Sequence, residues 1–540
     1  MDIFTISVIG SFLLITVIGI VMSRTVKTRE DYFLAGRNVG VLLIVGTLIA
    51  SYLSTVALMG EAGTAYDGFP WAIFLLASVA AAGYPLGVIL FGRYLRESGA
   101  LTIPEFFGKR FQSKRLHALA GLMVLVGIGL YLVAVTRGIS LVLETVTGIS
   151  GFWAILITWA AFSLFTVLSG SKGVIVTDLI MFLLFMIGGS IGFISIFSAA
   201  GGIGDVFTSL ATNEASREGL MWHGAISSEG AAWTNPLEIL VYILTFGIVW
   251  MFVLGVSPWQ SSRYMMARSN HVAIRSGIVA VVIVPVFYLL MVFAAYTVNL
   301  MNPDISPSEN VLIWASYNVM PTFVGVVMVS GIMAAGLSSA STFLSLVGFS
   351  AVNDVAPMFR RGNDQKAGPD HGVRNSRLAM LAVGAAALIV TAVATPGVFE
   401  IGYMAASFFA AAWGFVAVVT TQSKRVTERG AFYGMLAGGL TVLVFESLVT
   451  FGGLELPTIL NPALLGLGAS LIALIIGTVT TKPTEESLAY IADLKTRVEK
   501  RVDPVEVKVT NRYIYIGIAV IVVVFAALLY FYVPAMLATA

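Results

Sequence analysis

The chain has 540 residues, 58% of them hydrophobic and only 11% charged, with a formal net charge of +2. A soluble protein carries about 25% charged residues. Here the apolar residues come in blocks of about 20, the length that crosses a hydrocarbon core of about 30 Å. Cysteine is absent, which excludes disulfides, thiolate metal sites and thiol catalysis. The four histidines (His117, His223, His271 and His371) all fall in or beside loops, and no nucleophile–base pair stands out. A histidine-ligated metal centre and an enzymatic role are therefore not expected.

Hydropathy predicts an all-α polytopic membrane protein of about fourteen transmembrane helices. The first, 4–23, lacks a basic flank and a small-residue cleavage site, so it reads as a retained helix rather than a signal peptide. It opens a unit covering 1–37. The second, 38–60, is interrupted by Thr47, Ser51, Tyr52, Ser54 and Thr55, with Gly60 and Gly63 following. Broken membrane helices are tolerated where freed carbonyls line a cavity or hold an ion; the alternative is a polar helix–helix contact. Spans 70–92, 117–146, 151–169 and 174–199 follow. Arg137 lies deep in 117–146, either as a clamp for a substrate carboxylate or as a structural ion pair or snorkelling cation. Asp178 lies just inside 174–199. A membrane carboxylate is costly and points to function; here it reads as a cation ligand or as a helix cap near the inner surface.

The loop 200–236 is long for a tight bundle and is expected to cap or gate the outer entrance. Spans 237–256, 276–300, 314–349, 377–396 and 399–421 come next. Gly255 and Pro258 weaken the helix after Trp250, and Trp250 and Tyr403 are candidate cavity aromatics. The apolar stretch 311–352 carries the densest signal, Ser338-Ser339-Ala340-Ser341-Thr342. Ala335, Ser338, Ser339 and Thr342 share one helical face. Such hydroxyls can bond back to the i−4 carbonyl or ease close packing. Crowded together, they suit a small hard cation such as Na⁺. Spans 430–451, 461–481 and 513–535 complete the chain in a unit 422–540. Its loop 482–512 contains an amphipathic stretch, Thr484–Lys500, expected to lie on the surface.

Orientation follows from the basic residues. Of 31 Lys and Arg, 29 fall in alternate loops: 24–37, 93–116, 170–173, 257–275, 350–377, 422–429 and 482–512. These are expected to be cytoplasmic, which puts both termini on the extracellular or periplasmic side.

The loop Glu30-Asp31-Tyr32-Phe33-Leu34-Ala35-Gly36-Arg37 resembles a hallmark of sodium:solute symporters. Leu48–Ser54 with Ala65-Tyr66-Asp67-Gly68 is similar to that family's first core helix, Val176-Thr177-Asp178 to its fifth, and Ala335–Ser339 to its eighth. The likeness runs through most of 25–425. It implies a leucine-transporter-like core of two inverted five-helix repeats, 38–199 and 237–421, working by alternating access on a Na⁺ gradient across the plasma membrane. It also implies a sodium site from the carbonyls of Ala50, Leu53 and Ala335 with the hydroxyls of Ser338 and Ser339. A second sodium would use Asp178, Ser338, Ser341 and Thr342. Solute would bind near Tyr52, Ser54, Thr55, Arg137, Trp250 and Tyr403.

Tyr52 and Ala57 stand where sugar-transporting members carry Asn and Gln, and Tyr52 also where proline transporters carry Asp. The stretch Ala50–Ser54 looks closer to pantothenate and acetate-type members, and Tyr131–Ala134 with Gly138 to the acetate group. A small monocarboxylate is the first expectation; pantothenate, an amino acid or another polar solute is the alternative. The other classes are a membrane transducer, for which no signalling domain accompanies the spans up to Ala540, and a proton-coupled transporter using Asp178.

Overall fold

A computed structural model describes residues 2–23, 34–228, 231, 233–358, 369–393 and 397–537. Glu30, Asp31, Tyr32 and Phe33 of the loop motif lie outside the described residues. Among those described, eleven helices are long and apolar enough to cross a membrane. The three other expected spans fall on shorter apolar helices, Ile3–Ile18, Val41–Ala50 and Gly151–Leu164.

In chain order the main elements are α1 (Ile3–Ser23), α2 (Val41–Ala50), a π-turn (Val56–Glu61) leading into α3 (Ala62–Tyr66), and α4 (Pro70–Ser98). Next come α5 (Lys114–Thr147), α6 (Gly151–Ala199), α7 (Pro236–Val256), α8 (Pro258–Met266), α9 (Asn270–Thr297) and α10 (Thr322–Ser350). The last are α11 (Pro369–Val393), α12 (Val398–Gln422), α13 (Glu428–Gly452), α14 (Pro462–Val479), α15 (Glu485–Lys500) and α16 (Pro504–Leu537).

Helix ends follow local chemistry. Ser113 caps α5 by accepting from the Leu116 N–H at 3.1 Å, and Gly148 closes it at φ 70°. The expected span 314–349 is divided: Val311–Asn318 is one helix and Pro321 precedes α10. Proline lacks the N–H that a continuous helix would need there.

Residues 170–173, expected as a loop, are helical within α6. The segment nonetheless folds back. A straight helix would place Gly151 and Gly192 about 60 Å apart. Instead, a Cβ on Gly151 would lie 3.2 Å from Glu144, and one on Gly192 3.2 Å from Met320. Those two neighbours are linked by Thr5 bonding the Val146 carbonyl at 3.3 Å and by Phe4 stacking on Tyr317 at 3.9 Å. Ser169-Gly170-Ser171-Lys172-Gly173 is the stretch least suited to a straight helix, and Gly/Ser pairs are a common cause of sharp bends.

The core gathers around Trp250, Trp259, Trp413 and Tyr131, all fully buried. Helices approach closely through glycine. A Cβ on Gly87 of α4 would lie 2.2 Å from Gly255 Cα of α7. On the expected inner face, α15 turns Ile491, Leu494 and Val498 inward. Arg110 there donates to the Thr420 carbonyl at 3.2 Å and the Ser487 carbonyl at 2.9 Å. Burial pushes its guanidinium down to about 10. On the other face Ala225 N–H donates to the Gly68 carbonyl (3.0 Å) and the Tyr532 hydroxyl to the Leu220 carbonyl (2.8 Å).

Candidate ion and solute site

The helix begun by α2 stops at Ala50, and residues 51–54 are not helical. Neither Gly nor Pro causes the break. The Ser51 hydroxyl donates to the carbonyls of Thr47 (2.7 Å) and Leu48 (3.2 Å), while Ser54 Oγ accepts from the Val56 N–H at 3.2 Å. Side-chain bonds of this kind compete with the helix ladder. A second break separates α7 from α8, where Ser257 is extended and Pro258 starts the new helix.

The first break faces the hydroxyl patch of α10. Ser339 Oγ donates to the Ala50 carbonyl at 3.3 Å. Ala50, Leu53, Ala335, Ser338 and Ser339 are all fully buried. The Ser338 hydroxyl donates to Asp178 Oδ1 at 2.7 Å, which leaves its oxygen lone pairs free to meet a cation.

Of the second expected ion set, Asp178, Ser338 and Thr342 converge. Ser341 instead bonds back to the Ser338 carbonyl at 2.8 Å. Sequence reasoning missed the group that joins the others. Arg263 of α8 donates through Nη2 to Asp178 Oδ2 at 3.3 Å and to Thr342 Oγ1 at 2.5 Å. Thr47 donates to the same Asp178 oxygen. Arg263 had been counted within a basic loop; the Ser257-Pro258 break turns its helix back into the protein, where it is 2% exposed.

The expected solute residues are partly gathered. Tyr52 meets Trp250 with ring centroids 5.5 Å apart, and Trp250 meets Tyr403 at 5.8 Å. Ser54 Oγ accepts from the Val56 N–H at 3.2 Å. Thr55 lies against Gly138, where a Cβ would come within 2.3 Å of Thr55 Oγ1. Arg137 is half-buried on α5, one residue before the Gly138 that meets Thr55. Glu61 was missed outright. It is 1% exposed, and it accepts from Tyr403 Oη at 3.0 Å and from Tyr288 Oη. The only signal was a lone acid after Gly60, one residue beyond the expected span end.

Residues 32–438 match the sodium:solute symporter family. The sodium/pantothenate symporter of Escherichia coli (strain K12) is 24% identical over 424 residues, covering 78% of this chain and 85% of that protein. The sodium/proline symporter of the same strain is 25% identical over 476 residues, covering 83% and 88%. Among solved structures, a substrate-bound, outward-open Na⁺-coupled sialic acid symporter superposes with a TM-score of 0.72 at 20% identity, over 90% of this chain and 99% of that one. The nucleobase-cation-symport-1 family transporter Mhp1, in a closed conformation, gives 0.57 at 11% identity, over 86% and 98%. The shared fold is thus that of leucine-transporter-like carriers.

Proposed function

Since the chain belongs to the sodium:solute symporter family, whose coupling ion is Na⁺, we propose that it carries a small organic solute inward by alternating access, with Na⁺ bound between Ala50, Leu53, Ala335, Ser338 and Ser339. It is a multi-pass plasma-membrane protein, and its relatives are transporters rather than enzymes. The observation that carries the reading is the 3.3 Å approach of Ser339 Oγ to the Ala50 carbonyl across the break after α2. Na⁺ at that point ties the first core helix to α10 and so favours one arrangement of the bundle over the other.

The reading includes fourteen spans with both termini outside, and two inverted repeats, 38–199 and 237–421. The two breaks support the repeats, because each falls in the first core helix of its half. One sodium is favoured over two: Arg263 already supplies a cation to Asp178 and Thr342, so a second ion at Asp178, Ser338, Ser341 and Thr342 requires Arg263 to leave. The same pairing counts against Asp178 as a proton carrier. Solute binds beside Tyr52, Thr55, Trp250 and Tyr403. A small monocarboxylate stood first from sequence, with Arg137 as its clamp. Arg137 is half-buried on α5.

Binding of radioactive Na⁺ to purified protein, in NaCl against KCl at fixed pH, tests the site. Ser339→Ala removes a ligand worth about 1.5–3 kcal/mol for a charged partner, so sodium affinity falls about tenfold to a hundredfold. An unchanged affinity sinks the assignment.

A further inference from the structure

Glu61 is a carboxylate sealed in a membrane protein, with no positive partner among the described residues. Its two oxygens accept from Tyr403 Oη, at 3.0 Å, and Tyr288 Oη. Those hydroxyls satisfy its hydrogen bonds but do not balance its charge. Among the described residues, no Lys, Arg or His forms an ion pair with it, whereas Asp178 at the same depth of burial has Arg263. An intramembrane acid left in this way marks a pathway for a cation.

The surroundings say which cation. Tyr288 stacks on Tyr52 at 5.9 Å, Tyr52 meets Trp250 at 5.5 Å, and Trp250 meets Tyr403 at 5.8 Å. Glu61 is thus held by two rings of a continuous aromatic wall. A hard ion such as Na⁺ wants a shell of oxygens, as the break at Ala50 offers; here the Tyr288 and Tyr403 hydroxyls are already turned to Glu61 and much of the remaining wall is ring face. Aromatic faces beside a carboxylate suit an organic ammonium, which gains from ring quadrupoles and an opposite charge together. Trp250 Nε1 and Thr55 Oγ1 are among the polar atoms of the same region that are buried without a hydrogen-bond partner among the described residues. They are available to the polar remainder of a solute.

We propose that Glu61, held by Tyr288 and Tyr403 and faced by Tyr52 and Trp250, recognises a positively charged ammonium group on the transported solute. This rests on the symport reading and narrows its substrate class: an amine-bearing or quaternary ammonium solute rather than a bare monocarboxylate.

The test is thermal stabilisation of the purified full chain by L-alanine, glycine betaine and choline, set against propionate and acetate, each in NaCl and in KCl. At least one ammonium probe stabilises the wild type in NaCl, and the two carboxylates do not. Glu61→Gln weakens that response at least tenfold, and Glu61→Asp weakens it less. The shift given by NaCl alone persists in Glu61→Gln, which shows that the variant is folded. Tyr288→Phe, which keeps the carboxylate, weakens the response to a smaller degree than Glu61→Gln. The proposal is overturned if propionate or acetate binds while no ammonium probe does, or if no probe binds. It is equally overturned if Glu61→Gln keeps full affinity and loses only pH dependence, the signature of a proton carrier. Loss of the NaCl shift in the wild type, with ammonium binding intact, counts against the sodium site and not against Glu61.

Discussion

Arg263 Nη2 stands 3.3 Å from Asp178 Oδ2 in a region where neither side chain reaches solvent. Removing one member of such a pair strands the other, at a cost of about 3–5 kcal/mol. Asp178→Asn should therefore destabilise the fold by that order, and Arg263→Gln likewise. The double variant should recover much of the loss, since two neutral partners can still hydrogen-bond to Thr47, Ser338 and Thr342. Thermal unfolding of all three variants in KCl checks this, and additive losses would refute the coupling. Sequence alone showed the hydroxyls and Asp178, because polar atoms in an apolar run are conspicuous. It hid Arg263, because one extended residue at Ser257 decides whether α8 lies in a loop or inside the bundle. Glu61 was hidden by the same kind of boundary: hydropathy ended the second span at residue 60, while the π-turn carries the chain on through Val56–Glu61.

Among the elements, long apolar blocks were easy to find and their interruptions were harder. The fold-back within α6 left its mark in the basic residue Lys172 and the flanking glycines, yet not as the expected loop. The glycine crossing of α4 and α7 leaves no periodic signal at all, since contact between two helices is a property of their packing. It makes a definite demand. A side chain on Gly87 meets Gly255 backbone atoms at 2.2–2.7 Å, and backbone cannot turn aside as a flexible side chain can. Gly87→Val should cost about 1–3 kcal/mol through overpacking and force α7 away from α4, carrying Trp250 with it. Gly129→Val, at an open position on α5 with nothing within 4 Å, is the control. The expected outcome is a lower unfolding temperature and altered tryptophan emission for Gly87→Val only. Equal behaviour of the two variants would show that the crossing is not tight.

At the scale of the whole molecule, the end of the first core helix expected to face the cytoplasm is tied to its neighbours. Val39 exchanges backbone bonds with Met266 (3.1 Å) and Arg268 (3.0 Å). Arg96 donates to the carbonyls of Ala267 and Arg268, each at 2.7 Å, and Arg37 to that of Ala100 at 2.7 Å. These ties join α2, α4 and the α8–α9 connection on the expected cytoplasmic side of the proposed ion site, so on the alternating-access reading inward opening breaks them. Behind them Ser262 lines a small cavity with Leu34, Thr102, Met265 and Asp354. Because the chain has no cysteine, Ser262→Cys gives a single reporter thiol. In inside-out vesicles, its labelling by a membrane-impermeant maleimide measures how often the inner face opens. Na⁺ binding above the ties favours the closed arrangement, so labelling should be slower in NaCl than in KCl. Arg96→Gln removes the two charged donors to these carbonyls, each worth about 1.5–3 kcal/mol in favourable geometry, together with the 2.6 Å ion pair to Glu97, and should speed labelling at least tenfold. Adding Ser339→Ala to the reporter should abolish the sodium effect while leaving the Arg96 effect intact, since one acts on the ion and the other on the closure it controls. If labelling is indifferent to sodium in the reporter chain, then ion binding and inner closure are not linked through α2, and the break after Ala50 is a static ligand rather than a moving one.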